Sequence, residues 1–168
     1  VSYGESVSSI IVANTIEDAV HFESKNFIKT IHQFDKHVVD FPTTNALIKE
    51  RFVKKNKVSV CGGFISSDST TNYITNLGRG GSDYTAAILS SAVQAESMTI
   101  WKDVPGILTA DPAKFLNVSK LDRLTYTEAI EMTYYGAKVI HPKTIQPLKL
   151  KSIPLYVKSF IHPEGEGS

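Results

Sequence analysis

The sequence is poor in cysteine, tryptophan and methionine, with one, one and two of these in 168 residues, and it has no excess of either charge, 18 Lys+Arg against 17 Asp+Glu. A lone Cys61 cannot close an intramolecular disulfide. It sits in the apolar run Val58 to Phe64, which suits a reducing compartment, the cytoplasm by default. Near-neutral charge gives no electrostatic reason for a polyanionic partner, so no nucleic acid is expected. The one basic cluster, Lys49 to Lys57, is interrupted by Glu50 and reads as a solvated helix end. No apolar run approaches the roughly 18 residues of a membrane span. The start, Val1-Ser2-Tyr3-Gly4-Glu5, has neither a basic n-region nor an apolar h-region, and no membrane partner is expected. An initiator Met is also lacking, and the expectation is a piece of a longer protein.

What is present is ordinary for one globular domain: 42% hydrophobic and 21% charged residues. A chain of this length buries roughly two-thirds of its unfolded surface and needs no staples. Ser2-x-x-Glu5 matches a capping box, and the apolar spacing behind it predicts a helix over about 4–19. Short strands are expected near 27–31 and 36–40. Pro42 opens a helix of 42–55, Val58 to Ile65 reads as a buried strand ending in glycines, and Tyr73 to Leu77 reads as a second strand after a polar turn over 66–72. The apolar positions of Asp83 to Glu96 predict a buried helix, followed by a strand at Met98 to Trp101. A long connection over 103–124 precedes a helix of 126–135 capped by Thr125-x-x-Glu128, a helix of 142–150 and a last strand at 153–159.

Gly78-Arg79-Gly80-Gly81-Ser82-Asp83 is the sharpest local feature. Glycines let backbone approach a ligand, the helix behind them offers unsatisfied N–H groups and a positive dipole end, and Arg79 can fork onto a carboxylate or phosphate. Anion recognition is one reading. A dipole-complementing acid at Asp83 and a cap at Ser82 are the structural alternative. The run is neither a Walker A loop nor a dinucleotide fingerprint, since its glycines fall at 78, 80 and 81 with none at 83. The five histidines, at 21, 32, 37, 141 and 162, have no helical ligand spacing, so no metal cage is expected, and His141 before Pro142 reads as the structural start of a helix. Lys102 and Asp103 close a strand, where ligands gather on open α/β sheets, with solvated turn residues as the alternative.

Taken in order, Ser2-Tyr3-Gly4-Glu5, Gly63-Phe64, Leu77 to Ala87, Ile100 to Gly106, Thr109 to Pro112 and Tyr135 to Thr144 resemble the aspartokinases, the aspartate-specific branch of the amino acid kinase family. The resemblance implies an α/β fold, a three-layer α/β/α sandwich, with residues 1–162 forming the C-terminal portion of a catalytic domain and 163–168 a linker toward a regulatory domain. It implies ATP- and Mg²⁺-dependent phosphorylation of the side-chain carboxylate of L-aspartate to 4-phospho-L-aspartate, the first step toward lysine, threonine and methionine, by a full-length protein that is a homo-oligomer. Carried over by motif position, Arg79, Gly80, Gly81 and Ser82 hold aspartate, with Glu5 and Phe64 shaping the pocket. Asp83 orients the catalytic lysine, and Lys102, Asp103, Leu108, Lys138 and Val139 contact ATP.

Three departures qualify what is implied. The family's Lys-Phe-Gly-Gly-Thr/Ser motif, which supplies the main phosphate-binding lysine, is not in this sequence, so these residues alone are expected to be inactive or nearly so. Lys102 and Leu108 stand where Thr and Tyr are usual, and Ala113, beside Lys114, stands where Arg is common. The regulatory domains lie beyond Ser168 in the family. Two rival readings are another amino acid kinase, acting on glutamate, carbamate or a nucleotide, and a non-catalytic ligand-binding or assembly module.

Overall fold

The computed structural model describes residues 2–52, 57–134 and 140–168. The first helix, α1 (Ser2–Thr15), is shorter than its apolar spacing suggested. The Thr15 hydroxyl bonds back to the Val12 carbonyl at 2.8 Å, and Asp18 takes a left-handed φ of 60°, which ends the helix. Ala19, expected as the last residue of the helix, instead opens β1 (Ala19–Phe22), parallel to β4 (Val58–Cys61) in the register Ala19↔Val58 to Phe22↔Cys61. Ser2 is itself helical, and among the described residues the Ser2–Glu5 capping bonds do not form.

A single 3₁₀ turn at Ser24–Asn26 leads into a hairpin of β2 (Lys29–Gln33) and β3 (Lys36–Val39). Asp40 then caps α2 (Phe41–Arg51) by accepting from the Thr43 N–H at 3.2 Å, with Pro42 in the first turn where its missing N–H costs nothing. Of the basic cluster, Lys49 and Arg51 are in the last turn of α2 and Lys57 pairs with Asp18 at 2.6 Å, while Lys54 and Lys55 lie outside the described residues.

The expected strand over 58–65 is two strands. Between Cys61 and Ile65 the chain breaks at Phe64, whose φ is +70°, and β5 (Ile65–Asp68) joins a different sheet. The segment expected as a polar turn is thus partly strand, and its hydroxyls are buried because they find partners. Thr75 bonds both Thr30 and Ser66 at 2.8 Å, and Ser67 donates to the Lys25 carbonyl at 2.6 Å. With β6 (Ile74–Asn76) this sheet has the order β3-β2-β5-β6, parallel only between β2 and β5.

The helix α3 (Gly81–Val93) ends at Gln94, in a left-handed cap. It leads to β7 (Met98–Lys102), which runs parallel to β10 (Leu155–Ser159) with Met98 opposite Leu155. Inside the long connection a two-residue pair, β8 (Ile107–Leu108) and β9 (Lys120–Leu121), forms a small antiparallel hairpin. The expected capping box starts α4 (Tyr126–Tyr134): Glu128 Oε2 accepts from the Thr125 N–H at 2.7 Å and from its hydroxyl at 2.8 Å. His141 caps α5 (Pro142–Lys149), its Nδ1 accepting from the Lys143 N–H at 3.2 Å, which makes it the helix start it was read as.

The core explains why α3 is apolar nearly all round. Ile88 and Ala92 pack with Phe27, Ile28, Ile48 and Leu77, while Ala87 faces Met98, Ile100, Leu148 and Ile153. One helix therefore belongs to both apolar clusters. Among the described residues no helix is long and apolar enough to cross a membrane.

Candidate active site

Three elements converge on the N-terminus of α3. Gly63, just past the end of β4, lies so close to Ser82 that a Cβ there would meet Ser82 Cα at 2.7 Å and Cβ at 2.8 Å. Gly81 packs on Phe64, where a Cβ would meet the ring at 2.8 Å, and a Cβ at Gly62 would meet the Glu5 carbonyl oxygen at 3.3 Å. Gly80, at φ +70°, lies against His141, whose side chain a Cβ would meet at 2.7 Å. Glycine is required at Gly80 twice over, by conformation and by space. The loop closes through the Gly81 N–H to the Gly78 carbonyl at 3.0 Å and the Gly78 N–H to Asn76 Oδ1 at 3.1 Å.

Phe64 is a bulky residue in a left-handed conformation, which costs on the order of 1 kcal/mol or more and persists only where surroundings over-determine it. They do so here from two sides. Its N–H donates to Thr85 Oγ1 at 3.0 Å, its carbonyl accepts from the Leu77 N–H at 3.0 Å, and the Thr85 hydroxyl donates on to the Gly81 carbonyl at 2.9 Å. Thr85 thus ties β4's end to the glycine loop. The sequence reading passed over it, and the available signal was a buried polar residue in an otherwise apolar helix stripe.

Glu5, Phe64, Gly80, Gly81 and Ser82 are therefore brought together around one loop, with Arg79 between its glycines. Arg79 is exposed, and among the described residues its guanidinium has no carboxylate partner. Asp83, in the first turn of α3, is spoken for: its Oδ2 accepts from Lys102 Nζ at 3.1 Å, with the two side chains 21% and 32% exposed. A partly buried pair is screened less by salt than a fully exposed one.

Lys102 joins the loop to a cleft of about 930 Å³. Asp103 and Leu108 line the same cleft, so three of the five residues expected at a nucleotide meet there. Lys138 and Val139, the other two, lie outside the described residues. The cleft also holds Lys114, Arg123, Phe115 and Met132, none of which the sequence reading assigned to a ligand. Cations spaced nine residues apart on a connection without helical period left no pattern to find. Among the described residues no group of three or more His, Cys, Asp or Glu is placed to hold a metal ion. Burial pushes the Cys61 thiol up, a Ser24 hydrogen bond opposing it, so no reactive thiolate competes with this site.

Residues 4–159 match the family model described as Amino acid kinase family. The chain is similar to lysine-sensitive aspartokinase 3 of Escherichia coli (strain K12), 34% identical over 174 residues, covering 100% of this chain and 38% of the relative. It is likewise 32% identical to the chloroplastic aspartokinase 1 of Arabidopsis thaliana over 176 residues, covering 100% of this chain and 31% of that one. Among solved structures, E. coli aspartokinase III in complex with aspartate and ADP superposes with a TM-score of 0.90 at 33% identity, over 99% of this chain and 38% of that one. The chain thus spans well under half the length of the relatives it matches. The glycine loop, the mixed α/β sheets and the match over residues 4–159 lead to one assignment: the chain belongs to the amino acid kinase family, with the α/β fold of that family.

Proposed function

We propose that these residues form part of an aspartate kinase, which transfers the γ-phosphoryl group of ATP to the side-chain carboxylate of L-aspartate, giving 4-phospho-L-aspartate. The observation that carries the reading is the Asp83–Lys102 pair, which links a glycine loop fit for an anionic substrate to a cleft fit for a nucleotide. The relatives named above are aspartokinases, and one was solved with aspartate and ADP. A cytoplasmic, homo-oligomeric full-length protein belongs to the same proposal.

The chemistry asks little of the protein beyond placement and charge. A carboxylate with a pKa of about 3.9 is already ionised at pH 7, so no general base is needed. Catalysis is then alignment of two anions and neutralisation of the charge spread over the transferring group. Arg79 offers a planar fork for the substrate carboxylate, and the positive N-terminal end of α3 directly behind it favours the same anion. Lys102, held by Asp83, supplies positive charge where loop and cleft meet. In this chain it is the lysine that Asp83 holds. Phe64 walls the pocket on the side of Gly81.

Mg²⁺ fits the donor set in a limited sense: Asp103 and Asp111 place carboxylates in the cleft, and Mg²⁺ is usually bound by one or two carboxylates plus substrate phosphates. It would neutralise phosphate charge there. The test of the reading is the full-length protein incubated with ATP, Mg²⁺ and hydroxylamine. Aspartyl hydroxamate is expected with L-aspartate and none with L-glutamate. Nucleotide binding without any hydroxamate would favour a non-catalytic module, and product with glutamate would favour a different acceptor.

A further inference from the structure

We propose that Gly167 and Ser168 are positioning residues that hold one wall of the nucleotide cleft, an inference that rests on reading the cleft as the nucleotide site. Pro163 to Ser168 has the composition of a solvated linker, yet its last two residues are tied down. After β10 the Ser159 hydroxyl oxygen accepts from the Ile161 and His162 N–H groups at 3.2 and 3.3 Å and turns the chain. The Gly165 N–H closes the bend on the His162 carbonyl at 3.1 Å. The chain then returns to its own strand: Ser168 and Val157 exchange both backbone N–H···O bonds, each at 3.0 Å, as a hydrogen-bonded antiparallel pair does. Gly167 is buried at φ +78°, and a Cβ there would collide with the Val157 carbonyl and lie 2.8 Å from Lys158 Cγ.

From that anchored position the tail reaches the β8–β9 hairpin. Ser168 Oγ accepts from the Ile107 N–H at 2.8 Å, the Gly167 carbonyl accepts from Lys120 Nζ at 2.5 Å, and Gly106 has no room for a Cβ because Ser168 Oγ fills the space. The hairpin has only two residues per strand, and such a ribbon is marginal by itself in water. Its Leu108 and Leu121 line the cleft. At the start of the same tail the Phe160 N–H donates to the Lys102 carbonyl at 2.9 Å, so one segment bonds both the end of β7 and the β8–β9 hairpin. A wall built on so short a hairpin keeps its place only while something outside it supplies bonds, and the tail supplies them.

The experiment uses the full-length protein with Ser168→Ala, Ser168→Thr and Gly167→Ala, read by steady-state kinetics and by amide hydrogen exchange of residues 107–121. Loss of one positioned hydrogen bond is expected to raise the ATP KM about fivefold in Ser168→Ala. The aspartate KM and kcat should stay unchanged, exchange in 107–121 should speed up, and Ser168→Thr should restore both. Gly167→Ala, which disturbs the backbone itself, should exceed Ser168→Ala in the same direction. An unchanged ATP KM, or equal rises in both KM values with a lowered Tm, would overturn the positioning role. If the wild-type protein phosphorylates no aspartate, the functional reading fails. The tail is then judged separately by exchange and by equilibrium binding of a fluorescent ATP analogue, and retained protection in Ser168→Ala overturns it.

Discussion

At the scale of single residues, the site depends on groups that do no chemistry. Thr85 spends its hydroxyl on two backbone partners, accepting from Phe64 and donating to Gly81, and so keeps a strained φ of +70° at Phe64. Thr85→Val preserves shape and leaves the Phe64 N–H and Gly81 carbonyl without that partner. A loss of about 1–3 kcal/mol is expected, read as a lower denaturant midpoint with an unchanged m-value. A midpoint equal to wild type would show that the loop holds itself. That backbone comes close to something at Gly80 and Gly81 was legible in the glycine spacing, whereas the substrate roles proposed for Arg79, Gly80, Gly81 and Ser82 come from the family resemblance and not from the loop's composition. Thr85 was not legible, since one hydroxyl in a helix reads the same whether it faces solvent or a strained neighbour. The constraint on Gly81 and Gly80, contact with Phe64 and His141, comes from residues distant in sequence and could not be read from the loop alone.

At the scale of elements, the misreadings share a cause. The helix expected over 4–19 stops at Thr15, gives way to a turn over 16–18 and yields Ala19 to β1, whose pairing with β4 outweighs local helical spacing. The strand over 58–65 broke at Phe64, and the polar run behind it became β5, because Thr30, Thr75 and the Lys25 carbonyl satisfy hydroxyls that composition alone assigns to water. Capping boxes fared differently at their two sites: Thr125–Glu128 forms as expected, whereas Ser2 lies inside α1. Turns built this way carry a pH signature. The Asp68 carboxyl is held below the usual range by the Thr71 N–H, then the Thr71 hydroxyl and the Thr70 N–H. Because its folded pKa is depressed, its contribution is complete above the unfolded value of about 3.9 and is lost as pH falls through the folded one. Glu128 acts in the same sense through Thr125. Melting temperature should therefore fall on acidification below about pH 4, less steeply in Asp68→Asn, whose amide oxygen still accepts but does not titrate. Equal slopes in the two proteins would remove Asp68 from the account.

At the scale of the whole molecule, α3 organises everything described. Its flanks close two apolar clusters, its first residue packs on Phe64, and its first turn carries Asp83 to Lys102 at the mouth of the cleft. Balanced charge, read at first only as the absence of a polyanion partner, fits this arrangement: a few cations at defined places, Arg79 at the loop and Lys102, Lys114 and Arg123 at the cleft, leave the total near zero. The central claim is that the loop holds the acceptor carboxylate while the cleft holds the nucleotide. Replacing Arg79 by Lys in the full-length protein keeps the charge and removes the fork. The measurement is the pair of Michaelis constants for Arg79→Lys: the account predicts an aspartate KM raised roughly tenfold or more with the ATP KM unmoved, and an unchanged aspartate KM would contradict it.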